Sequence, residues 1–305
     1  MDAVMPDLPK HLLGRTGLEV TSLGYGAMEL RTLDEAGAEA ILNAVLDAGI
    51  NFIDTSIDYG RSEELIGRCI SQRRSDYFLA SKCGCVPGGA GGDHVHTAAN
   101  IRAGVENSLR LLKTDHLDLV QFHRSLTEAE FNEHGALQEV LRLRDEGKVR
   151  FVGVSGTLPH MSEQVDMGVF DAFQVPYSAL QREHEAVIAK ASAAGAGIIV
   201  RGGVARGAPT DWEHRQYYML PTETMRDRWD EARLDELLGE GMTRMEFMLR
   251  FTLSNADLDT TIVGTKSVEH LAGNVAAALA GPLPGDILAE AKRRLAAAGS
   301  APEPV

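Results

Sequence analysis

The chain has 305 residues, 44% of them hydrophobic and 24% charged, which excludes wholesale disorder and provides a core that needs no disulfide or metal. Lys and Arg total 30 against 44 Asp and Glu, a formal net charge of −14, which argues against a nucleic-acid binder or a protein that coats anionic lipid. Three cysteines, Cys69, Cys83 and Cys85, fit a reduced cytoplasm, and Cys83-Gly84-Cys85 lacks the second pair that a four-ligand zinc site needs. The opening Met1 to Leu13 has no basic start followed by an apolar run, and nowhere is there an apolar stretch of about 18 residues. A cytoplasmic protein with no membrane span is expected.

Short apolar runs alternate with longer segments of helical period. In chain order, a strand over Val20–Met28 precedes a helix over Asp34–Ala48, where Ile41, Val45 and Ala48 share a face. A strand at Ile50–Thr55 leads to a helix at Ser62–Ile70 and a strand at Tyr77–Lys82. The Gly-rich loop Pro87–Asp93 precedes a helix over Thr97–Leu112. Then come strand Leu117–His123, helix Gly135–Glu146, strand Val149–Ser155, helix Pro159–Met167, strand Asp171–Tyr177, helix Glu183–Ala194 and strand Gly197–Arg201. An irregular stretch, Gly202–Gly241, carries both tryptophans; its Trp212, Tyr217, Tyr218 and Trp229 either line an apolar pocket or pack the loop on the body of the protein. Helix Thr243–Ser254, strand Leu258–Gly264 and helices Val268–Leu279 and Asp286–Ala298 finish the pattern.

Repeated strand-helix-strand units demand parallel strands, and eight of them predict a closed (β/α)8 TIM barrel. The rival, an open doubly wound sheet, usually carries Gly-x-Gly-x-x-Gly after its first strand, and Gly24-Tyr25-Gly26 is not so completed. With no composition break, residues 1–305 are read as one domain, with 1–11 and 300–305 as loose termini.

Barrel enzymes place reactive groups at the carboxyl ends of strands. Asp54 ends the second strand with Tyr59 just beyond it, Lys82 ends the third and His123 the fourth. A phenol titrates near 10, and a nearby ammonium lowers that value. Lys82 is placed to do so, Asp54 to fix Lys82 by ion pairing, and His123 to orient a carbonyl oxygen. The arrangement protonates a nascent alkoxide and lacks only a hydride donor, which no side chain can be. His94 and His96 in the Pro87–His96 segment are read as part of a solvated loop, and no metal is expected. A metal-dependent barrel hydrolase would need ligand clusters on several strands.

Gly14-Arg15-Thr16-Gly17-Leu18-Glu19-Val20, Asn51-Phe52-Ile53-Asp54-Thr55, Tyr59-Gly60-Arg61-Ser62-Glu63, Ser81-Lys82, Asp118 to Arg124, Gly153-Val154-Ser155 and Ile262 to Ser267 follow in order. Through them the chain resembles the aldo-keto reductase family over about Leu12 to Ala280. The resemblance implies NADPH-dependent reduction of a small-molecule carbonyl, with Tyr59 as general acid, Lys82 and Asp54 tuning it and His123 orienting substrate. It implies that Gly26, Ala27, Met28 and Asp54 lie by the nicotinamide and its ribose, and that Ser155 and Gln174 hold the carboxamide. It assigns Arg201, Gly202, Gly203, Val204, Arg206 and Gly207 to the pyrophosphate. Gly264 and Thr265 are assigned to the cofactor, Lys266 and Ser267 to the adenosine 2′-phosphate, and His270 and Asn274 to the adenine. Two departures stand out: Gly156 occupies a position where the family commonly has Asn, and Arg201 one where an aromatic commonly stacks on the nicotinamide. The family also includes cofactor-binding subunits of larger assemblies, so a regulatory or weakly active protein is the alternative function.

Overall fold

Apolar strands that alternate with one-sided helices can bury both faces only as a parallel sheet wrapped by helices. The computed structural model, which describes residues 7–87, 94–210 and 222–305, realises this as a closed (β/α)8 barrel. The strands are β1 (Lys10–Leu12), β2 (Glu19–Thr21), β3 (Leu23–Gly26), β4 (Phe52–Asp54), β5 (Phe78–Cys83), β6 (Leu117–Phe122), β7 (Val149–Ser155), β8 (Ala172–Pro176), β9 (Gly197–Arg201) and β10 (Thr260–Val263). Strands β3 to β10 pair in parallel, and β10 meets β3 to close the ring. Outside lie α1 (Glu35–Asp47), α2 (Ser62–Cys69), α3 (Ala98–Leu112), α4 (Glu128–Glu133), α5 (Ala136–Asp145), α6 (Met161–Asp166), α7 (Glu185–Ala193), α8 (Thr222–Glu231), α9 (Arg244–Leu253), α10 (Val268–Ala280) and α11 (Gly285–Ala297). Among the described residues, no helix is long and apolar enough to cross a membrane.

The helices start where side chains can satisfy their free N–H groups. Asp34 caps α1, Thr97 caps α3, Thr243 caps α9 and Ser267 caps α10. Ile101, Val105 and Leu112 of α3 bury one face against the barrel.

Inside the ring, Phe52, Ala80, Leu119, Ala172, Ile199 and Ile262 form an apolar layer. Leu13, Leu18 and Val20 from the antiparallel β1–β2 hairpin join it at the amino ends of the strands, where Leu13 lies against Gly197, the first residue of β9. This hairpin is why the expected Val20–Met28 strand is in fact two. Its first part pairs with β1, and only Leu23–Gly26 belongs to the barrel.

Described residues within the segments 1–11 and 300–305 are held by hydrogen bonds to the rest of the protein. Lys10 and His11 pair with Thr21 and Val20. Ser300 is buried and its hydroxyl donates to Ala179 O at 2.9 Å, while Glu303 N donates to Glu183 O at 3.1 Å. The stretch expected to be irregular contains α8, whose Met225 and Trp229, four residues apart, are both buried. Trp229 packs edge-on to Phe247 with ring centres 5.7 Å apart and Nε1 donating to Asp235, so it pins the loop instead of lining a pocket. Trp212, Tyr217, Tyr218 and most of Pro87–Asp93 lie outside the described residues.

Candidate active site

Alternate residues of a strand share a face, so two steps along each barrel strand give the next interior layer. From the apolar layer those steps lead from Phe52 to Asp54, Ala80 to Lys82, Leu119 to Gln121, Ala172 to Gln174 and Ile199 to Arg201. The interior therefore changes from hydrocarbon to polar groups at the carboxyl ends of the strands. There Lys82 Nζ donates to Asp54 Oδ2 at 2.6 Å and to Thr55 O at 2.9 Å, and both side chains of the ion pair are buried. The other Asp54 oxygen accepts from Gln121 Nε2 at 2.8 Å and Gln174 Nε2 at 2.9 Å. Ser155 Oγ donates to Gln174 Oε1 at 2.8 Å, which extends the network to β7. A buried carboxylate is tolerable only with such a full set of partners.

Tyr59 and His123 stand above this network. The Lys82 ammonium lies 5.1 Å from the centre of the Tyr59 ring, and the Tyr59 and His123 rings meet edge to face with centres 6.1 Å apart. Burial pushes the Tyr59 phenol above its ordinary value; Lys82 is the largest influence in the other direction, followed after Asp54 by Arg201. The sequence reading had the ammonium lowering the phenol overall, but burial outweighs it. Burial likewise holds the His123 imidazole below its ordinary value. The neutral ring then carries one hydrogen.

The four groups face a groove of about 1750 Å3. Asp54, Tyr59 and His123 line it directly, and Lys82 lies beneath them. Of the positions assigned to a cofactor, Gly26, Met28, Ser155, Gln174, Arg201, Gly202, Gly203, Val204, Arg206, Gly207, Gly264, Thr265, Lys266, Ser267, His270 and Asn274 all line the same groove. Ala27 does not; it is fully buried behind the wall. Tyr25 braces one rim by donating its hydroxyl to Thr265 O at 2.8 Å. Arg206 reaches across to Met28, with Nη2 3.7 Å from Sδ. Its backbone has φ +52°, a costly conformation for a residue other than glycine, so the loop holds this residue in place against local preference.

Gly156 has a structural explanation. A Cβ there would lie 2.1 Å from Ser125 Oγ, which donates to Thr157 O at 2.7 Å and accepts from Thr157 N at 2.8 Å. The serine thus fills the space a side chain at 156 would need and ties β6 to β7 beyond their ends. Gly156→Asn should cost about 1–3 kcal/mol by overpacking. The cost should shrink when Ser125→Gly is added, as read by urea unfolding of the two singles and the double.

The sequence reading missed Gln121, although its place two residues before His123 put it on the same interior face. It also missed Asp58, whose Oδ2 is 3.2 Å from His123 Nδ1, and the inward turn of His94 and His96. These two histidines are half-buried, and His94 lines the groove. Val95 N donates to Gly84 O at 2.7 Å, and Asn100 Nδ2 donates to Val95 O at 2.8 Å. The extended segment sends Val95 outward and its neighbours on both sides inward. Gly84, with φ +90°, gives His96 room, since a Cβ there would be 2.7 Å from its Nε2.

The profile of the Aldo/keto reductase family matches residues 22–293. The chain is 28% identical over 280 residues to the uncharacterized oxidoreductase YqkF of Bacillus subtilis, covering 88% of this chain and 90% of that one. It is 27% identical over 297 residues to L-galactose dehydrogenase of Arabidopsis thaliana, covering 90% of this chain and 89% of that one. The holo form of aldo-keto reductase AKR11C1 from Bacillus halodurans superposes with a TM-score of 0.83 at 28% identity, over 94% of this chain and 96% of that one. The chain is an oxidoreductase of the aldo/keto reductase family.

Proposed function

We propose that the protein reduces an aldehyde or ketone to the alcohol at the expense of NADPH, with Tyr59 giving the proton. The observation that carries this reading is the buried Lys82–Asp54 pair set under Tyr59 and beside His123 at the floor of the groove. The groove fits an extended dinucleotide. Its lining includes both Asp54 and His123 and the residues Lys266 to Asn274, and it is floored at Gly26 and Gly264 by backbone so close that a Cβ on Gly264 would lie 2.9 Å from Gly26 O. Its far end is the amino terminus of α10, where helix N–H groups and Lys266 favour a phosphate. A bound nicotinamide dinucleotide supplies the hydride that side chains lack.

The chain's own residues then divide the remaining work. Ser155, which donates to Gln174, keeps its oxygen lone pairs for an amide N–H of the cofactor. His123 has a hydrogen to place on one ring nitrogen. In the tautomer that holds it on Nε2, the ring donates it to the substrate carbonyl, while Cys85 Sγ and Asp58 Oδ2 each lie 3.2 Å from Nδ1. Tyr59, kept protonated by burial, delivers its proton to the alkoxide oxygen. Lys82 and Asp54 act through Tyr59 and do not touch substrate.

Following NADPH oxidation with 4-nitrobenzaldehyde and a panel of ketones tests the reading. Binding of NADPH with no turnover across the panel would replace it by a cofactor-binding regulatory role. Lys266→Glu should raise the KM for NADPH by roughly 10- to 100-fold, the worth of a hydrogen bond to a charged group, with kcat little changed. The KM for NADH should hardly move. Equal effects on both cofactors would remove Lys266 from the 2′-phosphate.

A further inference from the structure

Beside the catalytic imidazole, four chemically suited groups converge from separate parts of the chain. Asp58 follows β4, Cys85 follows β5, His123 follows β6, and His94 lies on the extended segment that runs back beside Cys85. One ligand atom from each falls within 4.8 Å of all the others. His123 Nδ1 is 3.2 Å from both Cys85 Sγ and Asp58 Oδ2, and His94 Nε2 is 3.7 Å from Asp58 Oδ2. Tetrahedral zinc, with bonds of about 2.0–2.3 Å, sets its ligand atoms roughly 3.3–3.8 Å apart. The cluster thus needs adjustments of an ångström or less to close round an ion.

Two further features make this a built arrangement. The first is that Nδ1 of His123 is oversubscribed. Ser56 Oγ at 3.4 Å joins Cys85 and Asp58 around a nitrogen that can make one hydrogen bond. A cation at the centre uses the same atoms without that conflict. The second is support behind the ligands. Ser56 Oγ donates to Asp58 Oδ1 at 2.7 Å, which leaves Oδ2 turned toward the imidazole. Asn100 Nδ2 reaches Gly84 O, Cys85 O and Val95 O and so fixes Cys85 and His94 to each other. His96 stacks on His94 with the planes 7° apart and ring centres 6.2 Å apart, which sets that ring's tilt. Partners of this sort orient metal ligands and contribute to affinity.

From this geometry we propose a Zn2+ site formed by Asp58, Cys85, His94 and His123. The donor set, one thiolate, two imidazoles and a carboxylate, is that of a borderline-soft divalent ion and not of Mg2+ or Ca2+. Binding displaces the Cys85 S–H proton to solvent and leaves a thiolate–metal bond, with no change of oxidation state. Because four protein ligands fill a tetrahedron, no position remains for water or substrate, so the ion acts as a clamp and not as a hydrolytic centre. It takes Nδ1 of His123, which fixes the ring's hydrogen on Nε2, and it ties the ring to Asp58 and His94, which also line the mouth of the groove. Zn2+ is therefore expected to change turnover reversibly by holding that ring in place.

The test begins with the full-length, chelator-washed protein. Zn2+ titrated against a chromophoric chelator should bind with one tight site per chain. Co2+ in its place should give the strong visible bands of tetrahedral cobalt and a near-ultraviolet thiolate-to-cobalt band. Cys85→Ser should remove the thiolate band, and Cys85→Ser and His94→Gln should each weaken Zn2+ by at least about tenfold. The wild-type cobalt spectrum decides the matter even if a variant folds poorly. Octahedral, pale Co2+ spectra, or zinc stoichiometry that survives in Cys85→Ser/His94→Gln, would overturn the site. Because these readouts need no carbonyl substrate, they stand or fall separately from the reductase reading. Wild-type turnover that is unchanged at saturating Zn2+ would overturn this effect on turnover.

Discussion

Replacing Tyr59 by Phe is expected to lower turnover of an aldehyde by about 10²–10⁴-fold while NADPH binds as before, the loss typical of removing a positioned general acid. The ring survives the change, so the edge-to-face contact with His123 and the cation contact with Lys82 are kept, and only the hydroxyl is lost. A fluorescence titration with NADPH and a turnover assay separate the two quantities. Wild-type turnover in this variant would end the assignment of Tyr59 as acid. The wild-type pH profile carries a second check. Reduction needs the phenol protonated, and burial raises its pKa above the ordinary value of about 10. Reduction should therefore hold through mild alkali and fall only beyond it, whereas oxidation of the alcohol, which needs the phenolate, should gain as pH rises.

The barrel was legible because its strands are short and their interior residues change character at a fixed step. Phe52, Ala80, Leu119, Ala172 and Ile199 are each followed two positions later by a polar residue, which locates the mouth from the sequence alone. Asp54, Lys82 and His123 could be read for that reason. Tyr59 was legible as the phenol on the loop just beyond Asp54. Long-range compensation was not legible. Ser125 and Gly156 lie on different loops and are unremarkable apart, yet the hydroxyl of one stands where a Cβ of the other would be. His94 and His96 resembled a solvated pair because the backbone ladder that turns them inward comes from Gly84 and Asn100, residues with no pattern of their own. Helix α4 did carry a local signal, the reciprocal Thr127–Glu130 cap, which apolar periodicity over six residues was too short to reinforce.

Lys82→Met should destabilise the protein by about 3–5 kcal/mol, because it leaves a buried carboxylate without its counter-ion. Met matches the length of the lysine stem, so the effect is electrostatic and not a cavity. Gln121 and Gln174 still donate to one oxygen of Asp54, but the oxygen that faced the ammonium at 2.6 Å loses its partner. Adding Asp54→Asn removes the stranded charge. The double variant should therefore regain a large part of the lost stability in urea unfolding, the non-additivity expected of two groups in direct contact. It should not regain turnover, because the cation beside the Tyr59 ring is still missing. A double variant as unstable as Lys82→Met would mean that the lysine supports the barrel mouth by packing alone. Recovery of stability together with turnover would mean that Tyr59 acts without help from the pair. Only recovered folding with lost chemistry fits a lysine whose charge is held by Asp54 for the benefit of the phenol above it.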